Sequence, residues 1–363
     1  MQAVPDPAAP ALGSTSFQPS PAQRLSLLNA WQRGFPLCDE PFAVVGAALD
    51  LSAAQVLQAY RQLAREGALS RIGAVFAPGS GGASILSAMA VPPERLEAVA
   101  AVVSAHPGVN HNYEREHTTN LWFVATGHDA DQVERLLQSI EHTTGLPVQR
   151  LPMLRPYRID TAFDLERTSA CVGDGVGTTG PTGRARTPLA PEDWPLAALA
   201  EQGLPLTERP YDVWADQLHS STPAVLATIA RWQDEGLLSR FGVVVRHHEL
   251  GYTANAMAVF DVPDDHVDTH GMALAHAHGV TLAYRRARTP DWRYNLYCMV
   301  HGRDRAAVHT QLAQAVAQAG LAPCPSAVLF SLRRFKQTGA RRFAHHAPHA
   351  IPEPMQEAVD ALP

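Results

Sequence analysis

The chain is written twice. "REGALSRIGAVF" at 65–76 returns as "DEGLLSRFGVVV" at 234–245, and "GVNHNYER" at 108–115 returns as "GVTLAYRR" at 279–286. "NLWFV" at 120–124 reappears as "NLYCMV" at 295–300, and "LPMLRPYRI" at 151–159 as "LFSLRRFKQ" at 329–337. Four matches in one order mean two homologous halves, so whatever unit the first half folds into, the second must fold into as well. Between them, "CVGDGVGTTGPTGRARTPLAPED" at 171–193 has the Gly, Thr and Pro content of a flexible linker.

Each half opens on helical periodicity. In the first, Leu25, Leu28 and Trp31 make one apolar stripe, and Phe42, Val45 and Leu49 a second. "DLSAAQVLQAYRQLAREGAL" adds a third helix, with Ser52 as N-cap and Gly67 as its stop. "HSSTPAVLATIARWQDEGLL" repeats it, with Ser221 or Thr222 at the cap and Gly236 at the end. Three short helices followed by "SRIGAVF" or "SRFGVVV" predict a winged helix-turn-helix. The period then shifts. "ASILSAMAV" reads as a strand, "PPERLEAVAAVVSAHPG" as an amphipathic helix, and "VNHNYERE" with "NLWFVATG" as a strand pair. "DADQVERLLQSIEHTTG" is another helix and "VQRLPMLRPYRI" a last strand, which completes a ferredoxin-like βαββαβ unit.

The fold class is therefore α+β, two tandem halves each made of a winged helix and a ferredoxin-like unit. The expected divisions are a disordered leader (1–22), winged helix (23–76), ferredoxin-like domain (77–165), linker (166–200), second winged helix (201–246), second ferredoxin-like domain (247–346) and tail (347–363). The two halves are expected to pair as an intramolecular pseudo-dimer.

A net charge of −6 argues against a protein that coats nucleic acid. Cys38, Cys171, Cys298 and Cys324 lie too far apart for a Cys-x-x-Cys metal site or a disulfide framework, which favours a reducing cytoplasm. No apolar run approaches the length of a membrane span, and the leader lacks the basic and apolar segments of a signal peptide.

One strand stands apart. In "GVNHNYEREHTTNLWF", His111, Tyr113, Arg115 and His117 fall on alternate positions, so a β-strand would line one face with groups that donate or exchange protons. A face meant for an ordinary core would carry Val, Leu or Ile there.

A winged helix joined to a βαββαβ unit resembles the Lrp/AsnC regulators. "SRIGAVF", "GVNHNYEREHTTNLWF" and "LRPYRI…FDL" narrow this, since they resemble the NirD type of the siroheme decarboxylase family. "SRFGVVVRHHELGY", "YRRARTPDWRYNLYCMVHG" and "LRRFKQTGARRF" resemble its NirL type. The resemblance runs from about 23 to 346 and implies a fused protein of haem d1 biosynthesis. It implies removal of CO2 from the C12 and C18 acetate side chains of siroheme, leaving methyl groups. It further implies siroheme as the bound partner, no cofactor beyond the iron that the substrate carries, and no metal site of the protein's own. Other siroheme decarboxylase subunits, of NirG/NirH type, are implied as protein partners, with neither nucleic acid nor membrane. Where NirD-type chains carry a charged, tyrosine-containing loop, this one has "APGSGGAS" at 77–84, while the second half keeps "RHHELGYTA".

The chemistry suits the residues. Decarboxylating a pyrrole acetate needs a proton donor near neutral pKa, cations for spectator carboxylates, and apolar walls. His111 and His117 are the candidate donors, Arg115 a carboxylate clamp, and Tyr113 an orienting hydroxyl or second donor. Arg71 and Arg155 are further candidate clamps. In the second half the matching residues are Tyr284, Arg286 and Arg288, with Arg240 and Arg333 beside them. His247, with His248, is a candidate to approach the cavity or the iron. Trp122 and Trp292 read as packing. His111 aligns with Leu282 and His117 with Arg288, so the first half is expected to carry the acid.

The rival reading is a ligand-sensing regulator of Lrp/AsnC type; a tetrapyrrole-binding chaperone without catalysis is a third. The recognition helices discriminate, since DNA reading needs Arg or Lys on phosphates and Arg, Asn or Gln on base edges. The first offers Arg61 and Arg65 with three Gln, and the second only Arg231 beside Asp234 and Glu235.

Overall fold

The computed structural model describes residues 17–159, 188–245 and 254–348. In the first half α1 (Pro21–Asn29), α2 (Pro41–Ala47) and α3 (Ala53–Arg65) lead into β1 (Leu69–Phe76). Ser52 caps α3 reciprocally with Gln55, and Gly67 ends it at a left-handed φ of +76°. In the second half α6 (Trp194–Gln202), α7 (Pro210–Gln217) and α8 (Thr222–Asp234) lead into β7 (Leu238–Val245), with Ser221 as the α8 cap.

Two boundaries move. α6 lies mostly inside 166–200, because "WPLAALAEQ" buries Leu196 and Leu199 and places its proline in the first turn, where no N–H is needed. α1 likewise begins at Pro21, within the stretch expected to be leader.

In neither half does the wing stand alone. β1 pairs antiparallel with β7, one strand from each half, with Gly73 opposite Gly242. A β-carbon on Gly73 would strike the carbonyl oxygen of Ala200 in α6, and one on Gly242 that of Trp31 just beyond α1. Each strand thus lies under the first helix of the other half, which accounts for the glycine in both copies of the motif. The two helix-turn-helix units share one apolar core, with Phe42, Tyr60, Trp214, Trp232 and Phe241 almost fully buried.

The remaining strands are β2 (Ala83–Met89), β3 (Val109–Arg115), β4 (Leu121–Gly127), β5 (Gln149–Leu151), β6 (Met153–Ile159), β8 (Ala254–Phe260), β9 (Val280–Arg286), β10 (Leu296–Gly302) and β11 (Ser326–Gln337). They form one sheet in the order β5-β2-β4-β3-β11-β8-β10-β9-β6. Each half supplies the ferredoxin-like order, but its last strand crosses over. β5 pairs with β2 of its own half, and β6, one residue later, pairs with β9 of the other. β11 does the same, its first part on β8 and its second on β3. Because only Pro152 separates β5 from β6, the two ends of the sheet are one chain segment and the sheet closes on itself.

Helices cover the outer face. α4 (Leu96–Ala105) and α5 (Ala130–Thr144) bury Val109, Leu121 and Phe123, while α9 (Val267–Ala275) and α10 (Arg305–Gln318) bury Ala283, Leu296 and Cys298. The inner face gathers Trp122, Leu151, Met257, Tyr284, Trp292, Tyr297 and Leu329 from both halves.

Candidate functional site

β3 alternates as its sequence predicts. Asn112 turns outward and donates to the Ala100 carbonyl (3.1 Å) and the Ser104 hydroxyl (3.0 Å) of α4, and Glu114 meets Arg333 on the same side. His111, Tyr113 and Arg115 therefore point to the inner face. The His111 and Tyr113 rings stack with centroids 6.3 Å apart. His117 lies past the end of the strand, in the turn before β4. Its Nδ1 accepts from the Thr119 N–H (2.9 Å), so the neutral ring carries its proton on Nε2. Its edge packs on Trp292, which in turn touches Trp122 (5.1 Å) and donates to the Tyr297 hydroxyl (2.8 Å). A surface cleft of about 480 Å³, lined by Thr119, Arg150, Thr289 and Asp291 among others, opens where the His117 turn meets the Trp292 loop.

The inner face has an internal twofold. Arg115 donates to the Leu329 carbonyl (3.0 Å), and Arg286 donates to the Leu151 carbonyl (2.6 Å). These acceptors are equivalent residues of the two exchanged strands. Among the described residues neither guanidinium has a carboxylate partner, and each keeps a buried Nε–H without an acceptor. Burial draws Arg115 down to about 10, against the opposing effect of Tyr284 and Tyr113. Arg286 lies over the Tyr284 ring at 4.5 Å, and Tyr284 stacks on Tyr297 at 5.7 Å.

A second inner-face imidazole, His301, went unmarked in the sequence. It alternates with Tyr297 and Met299 along β10, and Thr281 Oγ1 lies 3.1 Å from its Nδ1. Beside it in the ladder stands Asn255, which accepts from Ser331, itself opposite Arg115. The signal was there: "NLWFVATG" against "NLYCMVHG" exchanges Thr126 for His301 within an otherwise repeated strand. Burial pushes both His111 and His301 down to about 4, and the charge of Arg115 adds to the effect at His301. Burial also lowers His117.

Several expected clamps lie elsewhere. Arg155 and Arg333 project from the outer face, Arg155 to Asp268 (2.6 Å) and Arg333 to Glu114 and Glu97. The reason is a bulge at Leu154 and another at Leu332, where the pairing register slips and one extra residue inverts the faces that follow. Arg288, like His117, lies beyond its strand; it binds Asp261 (2.8 Å) and Asp264 (2.8 Å) and so latches the loop after β9. Arg71 and Arg240 belong to the β1–β7 ribbon, where each donates to the carbonyl three residues on, Ala74 or Val243. Arg71 also reaches Gly339, just past the end of β11. His247 and His248 fall outside the described residues.

A family model described as the siroheme decarboxylase NirDL-like HTH domain matches residues 25–69 and 196–238, and the AsnC-like ligand binding domain matches 80–158 and 249–336. The siroheme decarboxylase NirDL subunit of Paracoccus denitrificans is 40% identical over 317 residues, 87% of this chain and 96% of that protein. The siroheme decarboxylase of Hydrogenobacter thermophilus is 32% identical over 323 residues, 88% of this chain and 94% of its own. The crystal structure of the siroheme decarboxylase NirDL in co-complex with an iron-uroporphyrin III analogue aligns with a TM-score of 0.62 at 27% identity, over 90% of this chain and 95% of that one. Each domain type is matched once per half and the identity runs nearly end to end, so this chain belongs to the siroheme decarboxylase family, in its fused NirDL form.

Proposed function

We propose that the chain removes CO2 from the C12 and C18 acetate side chains of siroheme, giving 12,18-didecarboxysiroheme in haem d1 biosynthesis. The observation that carries this is the inner face itself. Two imidazoles, three tyrosines and two guanidiniums without a carboxylate partner among the described residues stand among aromatic walls contributed by both halves. Such a face suits a flat, polycarboxylate macrocycle.

Loss of CO2 alone would leave an electron pair on the methylene, which the ring must accept. A proton added to the pyrrole carbon beside the acetate makes that ring electron-poor. The C–C bond pair then moves into an exocyclic double bond as CO2 leaves. Protonation of the methylene carbon and loss of the ring proton complete the methyl group, with one proton taken up per CO2. His111, stacked on Tyr113, supplies the proton. Its low proton affinity in the free protein is reversed by the substrate, whose carboxylates bring negative charge beside the ring. Arg115 and Arg286 hold spectator carboxylates, and the aromatic walls exclude water. No cofactor is needed beyond the iron of the substrate. The two halves act as an intramolecular pseudo-dimer in the cytoplasm, with NirG/NirH-type subunits as partners; among the described residues no helix is long and apolar enough to cross a membrane. Anaerobic incubation with siroheme should yield a product lighter by two CO2, read by mass spectrometry without added cofactor. Intact siroheme beside folded protein would sink the reading.

The helix-turn-helix units are architectural in this reading. Arg231 of α8 is held by Asp193 (2.6 Å) and Glu235 (3.4 Å), and Arg61 of α3 donates to the Leu206 carbonyl (2.6 Å), so both are engaged within the protein. A gel shift with the gene's own upstream DNA at physiological salt should show no specific complex. A complex that survives competitor DNA would restore the regulator.

A further inference from the structure

Around Tyr113 the inner face is completed by the other half of the chain. In the β3–β11 ladder Arg334 stands opposite Tyr113, and Gln337 stands opposite His111. Residues directly opposite in an antiparallel pair share a face with Cβ atoms about 5 Å apart. Arg334 and Gln337 therefore turn to the same side as the two candidate catalytic rings. Arg334 Nη1 donates to Gln337 Oε1 at 2.9 Å, which braces the guanidinium along the strand. Its positive charge also counters the effect of burial on the Tyr113 phenol.

The internal twofold provides a control. In the repeat, Arg334 corresponds to Pro156 and Gln337 to Ile159. Those residues stand opposite Tyr284 and Leu282. One lobe thus reads His, Tyr, Arg and Gln, and its twin reads Leu, Tyr, Pro and Ile. Arg115 and Arg286 are common to both lobes and both donate to backbone carbonyls, so they do not distinguish one from the other. Arg334 does, and its side chain is exposed where theirs are not.

We propose that Arg334, carried into the first half on the exchanged strand, is a substrate-binding residue of the His111 lobe. It takes a side-chain carboxylate of the tetrapyrrole and so helps to hold the macrocycle in that lobe. This rests on the decarboxylase reading given above. A guanidinium offers two parallel N–H donors to such a carboxylate, which a proline in the twin lobe cannot do.

The test titrates the full chain and its Arg334→Met and Arg334→Lys variants with iron-uroporphyrin III, followed by the Soret band, and measures turnover on siroheme. Arg334→Met should raise Kd about 10–100-fold, the cost of one charge-assisted carboxylate contact. Arg334→Lys should recover part of that affinity. At saturating siroheme kcat should stay within about threefold, because the contact serves ground state and transition state alike. A Kd within about twofold of the parent, or a collapse of kcat at unchanged Kd, overturns the assignment to binding. Should the unmodified chain itself neither bind the porphyrin nor release CO2 from siroheme, the decarboxylase reading falls first and Arg334 falls with it.

Discussion

Replacing His111 by Gln lowers kcat for CO2 release by about 10²–10⁴-fold, the range that a general acid typically contributes, and leaves porphyrin affinity within a few-fold. Gln keeps a polar side chain of similar reach in the lumen but cannot pass a proton at neutral pH. His301→Gln is expected to cost less. At His301 the imidazolium is opposed both by burial and by the charge of Arg115, whereas at His111 it is opposed by burial alone. Steady-state turnover on siroheme, with affinities measured separately, decides between the two. Near-normal turnover in His111→Gln beside an inactive His301→Gln would move the chemistry to the second half.

Acid should weaken the fold in a window these same rings define. Both titrate near 4 when folded, against about 6.5 in an unfolded chain. Between those values the unfolded chain binds protons that the native protein excludes, so stability falls as pH drops from about 6.5 to 4 and is unaffected by these groups above about 7. Each ring is worth about 2 kcal/mol at the acid end after allowance for its partial contact with solvent. Urea unfolding at a series of pH values reads the slope directly. His111→Gln should remove about one proton from the linkage on that limb. A slope that is the same in parent and variant would show that His111 protonates freely in the folded state.

How much of this was legible in the sequence depends on whether the information was local. The period of two in "NHNYER" places His111, Tyr113 and Arg115 on one face without knowledge of any neighbour. The caps at Ser52 and Ser221 are equally local. Arg155 and Arg333 follow the same kind of pattern, yet they face outward because bulges at Leu154 and Leu332 invert it. A bulge arises from pairing with a strand of the other half, and nothing in "LPMLRPYRI" announces it. The β1–β7 ribbon is non-local in the same way: "SRIGAVF" predicts a strand, but its partner lies about half a chain away. Arg288 carries a charge suited to substrate, yet whether it meets a carboxylate of substrate or of Asp261 is decided by how the loop folds back. His301 was hidden for another reason. Its strand repeats one of the first half, and the informative position is the one that does not repeat, Thr126 against His301.

The crossing of β11 onto β3 also orders events in time. A chain emerging from the ribosome completes His111, Tyr113 and Arg115 less than a third of the way along, but the strand that pairs with them ends at residue 337 of 363. Until then β3 carries an unpaired edge, and β6 waits for β9. Open edges of this kind invite pairing with the wrong chain, so the interval of synthesis is the period of greatest hazard for the nascent protein. A chain stopped just before Ser331 would contain His111, Tyr113, Arg115, His117 and His301 and still lack the second partner of β3. In this architecture the last part of the sheet to be translated closes the first part that matters.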